Sequence, residues 1–136
     1  MLQQDYLVRM LMRLAEAIGK SLAKAKDDED PEAAADLLEA AVGEATELDG
    51  AVLLSLSPES IASVVQISGT DPRAVEYIVR TLLLEASYLE DAGKPEKAAL
   101  RTQQANALAD AYGVDVSSVG LSEEEFEEFF EEVTPR

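Results

Sequence analysis

The chain has 136 residues, with Lys+Arg 11 against Asp+Glu 28, no histidine, no cysteine and a net charge of −17. A chain of this length is expected to form one domain that buries about 68–70% of its unfolded surface, and it needs no covalent staples to do so. The missing residue types exclude disulfides, Cys/His zinc sites, thiol nucleophiles and imidazole acid–base chemistry, while the acidic balance repels nucleic acid and anionic lipid as partners.

The first element is expected to be a helix from about Gln4 to Lys26. Leu7, Leu11, Leu14, Ile18, Leu22 and Ala25 follow the three-and-four spacing of one buried face, and Val8, Met12 and Ala15 widen it towards a second contact. Asp5, Arg9, Arg13 and Glu16 interrupt the apolar residues, so the segment lacks the unbroken core of a signal peptide, and no charge-free run approaches the ~20 residues of a membrane span. The expected setting is cytoplasmic. Arg9, Arg13, Lys20 and Lys24 recur at spacings of four and seven, which reads either as a solvated cationic face or as a docking stripe for an acidic segment of this chain or a partner. Residues 1–26 carry a net +3, leaving −20 on the remainder.

Residues 27–30, DDED, read as an acidic turn, because the alternating ligands, central glycine and terminal glutamate of a calcium loop are absent. Asp30-Pro31 is an N-cap followed by N1 proline and opens a second helix, with Ala34, Leu37, Leu38, Ala41, Ala45 and Leu48 facing inward and Asp49-Gly50 ending it. The first two helices then form a hairpin. Val52, Leu53, Leu54 and Leu56 are expected to make a helical turn. Ser57-Pro58-Glu59 opens a short helix whose Ile61, Val64, Val65 and Ile67 are expected in the core and which closes at Gly69. Glu59 could be taken for an active-site carboxylate, but its place in the first turn of a helix accounts for it.

Asp71-Pro72 repeats the opening device for a long helix with the inner stripe Val75, Ile78, Val79, Leu82, Ala86 and Leu89, ending at Gly93 as its C′ residue. Pro95 restarts the chain, and Ala98, Thr102, Ala105, Leu108, Ala109 and Tyr112 form the inner face of the returning helix, small enough for close packing, up to Gly113. The last expected element begins at Leu121-Ser122-Glu123-Glu124-Glu125-Phe126, a capping box with a hydrophobic staple. In it Phe126, Phe129, Phe130 and Val133 fall on one stripe opposite Glu123, Glu124, Glu125, Glu127, Glu128, Glu131 and Glu132. That stripe holds every phenylalanine of the protein, and burying each would contribute roughly 1.5–3 kcal/mol. The helix therefore either closes the end of its own core or enters a partner's groove, including that of a second copy. The fold expected is all-α, of about five to six helices in antiparallel hairpins. Residues 1–113 would form the single helical domain, and residues 114–136 a linker with the acidic C-terminal helix.

Gly93 in its turn, with Ala86 before it and Ala98 and Ala105 after it, resembles the small-residue framework of a tetratricopeptide repeat. Thr102 stands where such a repeat carries a large aromatic, Leu82 fills the bulky early position, and Ala34, Leu38 and Ala41 echo the pattern more weakly. Two hairpins fall short of the three or more repeats of a usual solenoid. Gln4-Asp5-Tyr6-Leu7 with Arg9, then Leu56-Ser57-Pro58-Glu59, then LLLEASYLEDAGKPEKA resemble an uncharacterised family of small, all-helical, tetratricopeptide-like bacterial proteins, over residues 1 to about 112. The resemblance implies the fold and a bacterial cytosolic setting, and carries no activity.

These readings together favour a non-enzymatic helical interaction module without a cofactor, binding a protein, a peptide or a second copy of itself. Its candidate contact residues are Arg9, Arg13, Lys20, Lys24, Phe126, Phe129 and Phe130. The alternative is a carboxylate-only metal-dependent enzyme with glutamates from facing helices; di-iron bundles of that kind use Glu-x-x-His pairs, and this chain has no histidine.

Overall fold

Proline sets the start of four of the six helices in the computed structural model, which describes residues 2–115 and, for side chains, Tyr6 onward. The elements are α1 (Leu2–Lys26), α2 (Pro31–Thr46), α3 (Gly50–Leu53), α4 (Pro58–Ser68), α5 (Pro72–Asp91) and α6 (Pro95–Tyr112). Asp30, Ser57 and Asp71 cap α2, α4 and α5 by accepting from the backbone N–H of Ala33, Ser60 and Arg73 at 3.1, 3.2 and 2.9 Å. Each cap satisfies a donor that the first helical turn leaves without a partner. The expected helix from Leu121, with Phe126, Phe129 and Phe130, lies outside the described residues.

The helices pack as two hairpins side by side: α1 on α2, α2 on α5 and α5 on α6, with α4 on α6. Contact of α1 with α5 as well as α2 explains its broad apolar face. Leu14, Leu38, Ile78, Leu82 and Leu108 are among the largest fully buried side chains, drawn from each of the four long helices. The turn of the second hairpin is a Schellman cap. Gly93 sits at φ 78 while its own N–H donates to Glu90 C=O at 3.0 Å and that of Lys94 to Leu89 C=O at 2.9 Å. Lys94 Nζ also reaches Glu32 Oε1 at 2.6 Å, tying this turn to the start of α2.

Three expectations change. Helix α2 stops at Thr46, with Glu47 in the left-handed region at φ 59, and Asp49 instead caps α3 by accepting from Val52 N–H at 3.1 Å. The Asp49-Gly50 pair thus opens a helix rather than ending one. Ile67 is 85% exposed: Ile61 and Val65, one turn apart, fill the side of α4 that meets α6, and a six-residue step carries Ile67 well off that side. Leu37, rotated a further residue from the buried Leu38, is also exposed.

Two glycines permit the approach of α2 to α3. A Cβ on Gly50 would lie 2.4 Å from the carbonyl oxygen of Glu39, and one on Gly43 would lie 2.8 Å from the backbone nitrogen of Gly50. Both obstacles are backbone and cannot swing aside.

Polar side chains also enter the interior. Leu54 and Leu56 leave the helical hydrogen-bond ladder and would strand their carbonyls, yet Gln104 Nε2 donates to both, at 3.0 and 2.8 Å, and Arg101 Nη1 to Leu54 at 2.8 Å. Arg101 Nε donates to Glu85 Oε2 at 2.6 Å, its Nη2 lies 3.5 Å from Glu39 Oε1, and Glu85 Oε1 is buried with no partner among the described residues. Burial drives the Glu85 carboxyl up to about 7, against the opposing pull of Arg101.

Two outcomes are expected. Gly50→Ala should lower stability by about 1–3 kcal/mol in chemical denaturation, since the new methyl forces backbone apart; unchanged stability would contradict the close approach. Because the folded value of Glu85 lies above its ordinary 4.5, its stabilising contribution is complete below that value and is lost as pH rises through about 7. Wild type should therefore lose up to about 3 kcal/mol relative to Glu85→Gln between about pH 5 and 8, and parallel stability curves for the two proteins would refute the burial argument.

Candidate functional site

At one end of the bundle the start of α1, the end of α2 and the start of α5 meet. The Tyr6 hydroxyl donates to Glu47 Oε1 at 2.7 Å and ties the first turns of α1 to the residue that terminates α2. The negative acceptor pushes the Tyr6 phenol above its ordinary value, with burial adding to the effect. Beside this contact lies a cleft of about 650 Å³, walled by Tyr6, Arg9, Met10 and Ala45 on one side and by the turn Ser68–Pro72 on the other. A smaller hollow of about 250 Å³ shares Tyr6, Arg9, Met10 and Ala45 and adds Arg13, Ala41 and Glu44.

The turn wall is held by its own bonds. Asp71 caps α5 and receives Arg73 Nε and Nη2 at 3.2 and 2.9 Å, and these hydrogen bonds hold its carboxyl below the usual range. Ser68 Oγ donates to Val65 C=O at 2.7 Å and lies 2.8 Å from Thr70 Oγ1. The hydroxyls are thus engaged in local structure, and among the described residues neither is hydrogen-bonded to a base that would make it a nucleophile.

Arg9 and Arg13 are exposed and make no ion pair or hydrogen bond among the described residues, while the adjoining Met10 is buried. The combination of two unengaged guanidiniums, an adaptable thioether and a tyrosine ring suits a ligand with carboxylates beside apolar side chains. Among the described residues no group of three or more Asp or Glu side chains is arranged to hold a metal ion, and no helix is long and apolar enough to cross a membrane.

The four basic residues of α1 do not share this site. Lys20 lies about 10 Å along the helix from Arg13 at 1.5 Å per residue. With Lys24 it lines a separate groove of about 470 Å³ beside Ala33, Asp36, Leu37 and Ala40, where Lys24 Nζ pairs with Asp28 at 3.2 Å. The stripe is therefore two pairs with different neighbours. Phe126, Phe129 and Phe130 lie outside the described residues.

Sequence reasoning missed Tyr6, Met10, Glu47 and the turn Ser68–Pro72 as members of one site. No local signal could have joined Tyr6 to Glu47, because their contact follows from how the α1–α2 hairpin closes. A signal did exist for Arg101 and Gln104, which stand three and six residues after Ala98, on the same inner face as Ala105 and Leu108. No known protein family, curated protein or solved structure matches the chain.

Proposed function

We propose that the chain is a non-enzymatic helical interaction module, and that the cleft beside Tyr6 receives an acidic segment of a protein or peptide. The observation that carries this reading is the pair Arg9 and Arg13, exposed and without an ion pair or hydrogen bond among the described residues, at a preformed cleft whose floor includes the buried Met10. Elsewhere on this strongly acidic protein the described arginines are engaged: Arg73 with Asp71, Arg80 with Glu76, Arg101 with Glu85. These two guanidiniums would each give a partner's carboxylate a charge-assisted hydrogen bond.

The packing of the second hairpin against both helices of the first supports a tetratricopeptide-like arrangement, in which peptide recognition falls on a surface between helices. The same reading takes the protein as a member of the uncharacterised bacterial family that the sequence resembles, working in the cytoplasm.

Because Arg9 and Arg13 are surface residues without ion pairs or hydrogen bonds among the described residues, reversing both with Arg9→Glu and Arg13→Glu should change stability by no more than about 1 kcal/mol. The immobilised full chain is then compared in an extract of its own cells as wild type, as this double variant and as Lys20→Glu. Proteins retained by wild type and by Lys20→Glu but lost from the double variant are expected. Equal retention on all three, or on none, would contradict the assignment.

A further inference from the structure

We infer that the groove between the end of α1 and the start of α2 is a contact surface for a second copy of this chain, in which each Lys20 pairs with the partner's Asp36 beside an apolar centre at Leu37. This surface is separate from the cleft beside Tyr6 and does not depend on it.

The groove carries both halves of a match. Its volume is about 470 Å³, its apolar lining is Ala23, Ala33, Leu37 and Ala40, and Lys20 and Asp36 stand on opposite helices at its rim. Ala23, Leu37 and Ala40 are exposed, so the centre of the patch is apolar surface left in water. Lys24 and Asp28, which also line the groove, already pair with each other at 3.2 Å. Lys20 and Asp36 are exposed and make no ion pair or hydrogen bond among the described residues. A patch with a cation on one side, an anion on the other and apolar residues between them is complementary to itself, as a two-fold interface requires.

The charges also select the axis. Helices α1 and α2 pack as an antiparallel hairpin, with Lys20 six residues before the end of α1 and Asp36 five residues after the start of α2. At 1.5 Å per residue both stand about 8–9 Å from the turn, level with each other across the groove. A two-fold axis along the groove therefore lays α1 of each copy antiparallel on the partner's α2 and sets each Lys20 against the partner's Asp36. An axis across the groove would stack α1 on α1 and α2 on α2, with like charges opposed. The acidic turns at residues 27–30 come to the same end of the pair, separated by at least the ~8–10 Å between packed helices, about a Debye length at physiological salt. Their repulsion is therefore screened. Helices packed face to face cross at an angle, so the contact covers a few turns around Leu37 and leaves the cleft beside Tyr6 open. So small an interface associates weakly.

Sedimentation equilibrium of the purified full chain, from about 10 µM to 1 mM, covers the range in which a small interface associates. The mean mass of wild type should rise towards that of a dimer across this range. Lys20→Glu and Asp36→Lys should each weaken association at least about tenfold, because each puts like charges at the contact. An equimolar mixture of the two variants should associate again, since Lys20→Glu opposes Asp36→Lys in one half of the interface while the native Lys20 and Asp36 meet in the other. That recovery would also show that both variants are folded. A wild type monomeric throughout, association unchanged in either variant, or a mixture that stays monomeric would overturn the inference. These readouts use the purified chain alone, and the capture comparison decides the cleft beside Tyr6 separately.

Discussion

The Arg101 guanidinium is 3% exposed and sits where α2, α5, α6 and the segment after α3 converge. A charge so enclosed is costly unless its donors are satisfied, and removing one member of a buried pair typically costs about 3–5 kcal/mol. Here Glu85, Glu39, the Leu54 carbonyl and the Gln104 amide oxygen all accept from Arg101 or lie within ion-pair distance of it. These partners are far apart in sequence, so the charge is satisfied only when the helices adopt their native register. An apolar core of alanines and leucines tolerates sliding far better than such a cluster does.

That register has a consequence at the opposite end of α4. Gln104 and Arg101 hold the chain at Leu54 and Leu56, just before Ser57 caps α4, and so fix where α4 lies on α6. The last turn of α4 leads into Ser68–Pro72, the wall of the cleft. The opposing wall is placed independently, by the Tyr6–Glu47 bond and by the burial of Met10 between α1 and its neighbours. A buried polar cluster and an exposed tyrosine contact together set the width of the cleft.

Much of the fold was legible because its signals are local. The Asp-Pro and Ser-Pro caps, the Gly93 turn and the Gly113 stop each depend on a few adjacent residues, and all lie where the pattern placed them. Asp49-Gly50 was read as the end of α2 because Gly commonly ends a helix, whereas Asp can equally cap a new one, as it does here. The chain did both within four residues, ending α2 on Glu47. The need for glycine at positions 43 and 50 depends on a tertiary approach, as does the site itself. Arg9 and Arg13 were picked out by charge and spacing alone, and that signal could not reveal that Lys20 and Lys24 face a different groove. Glu85, Arg101 and Gln104 were left out of the inner stripes, which were drawn through mostly apolar residues, although their spacing placed them on inner faces.

The buried polar cluster positions α4, and through it the wall of the cleft. Native-state amide hydrogen exchange on wild type and Gln104→Leu tests this directly, because the substitution keeps the side chain's approximate size while leaving the Leu56 carbonyl unpaired. Protection in residues 58–71 should fall roughly 10- to 100-fold, the equivalent of about 1–3 kcal/mol for a stranded buried group, while α1 and α2 keep theirs. Unchanged protection in residues 58–71, or an equal loss throughout the chain, would contradict it.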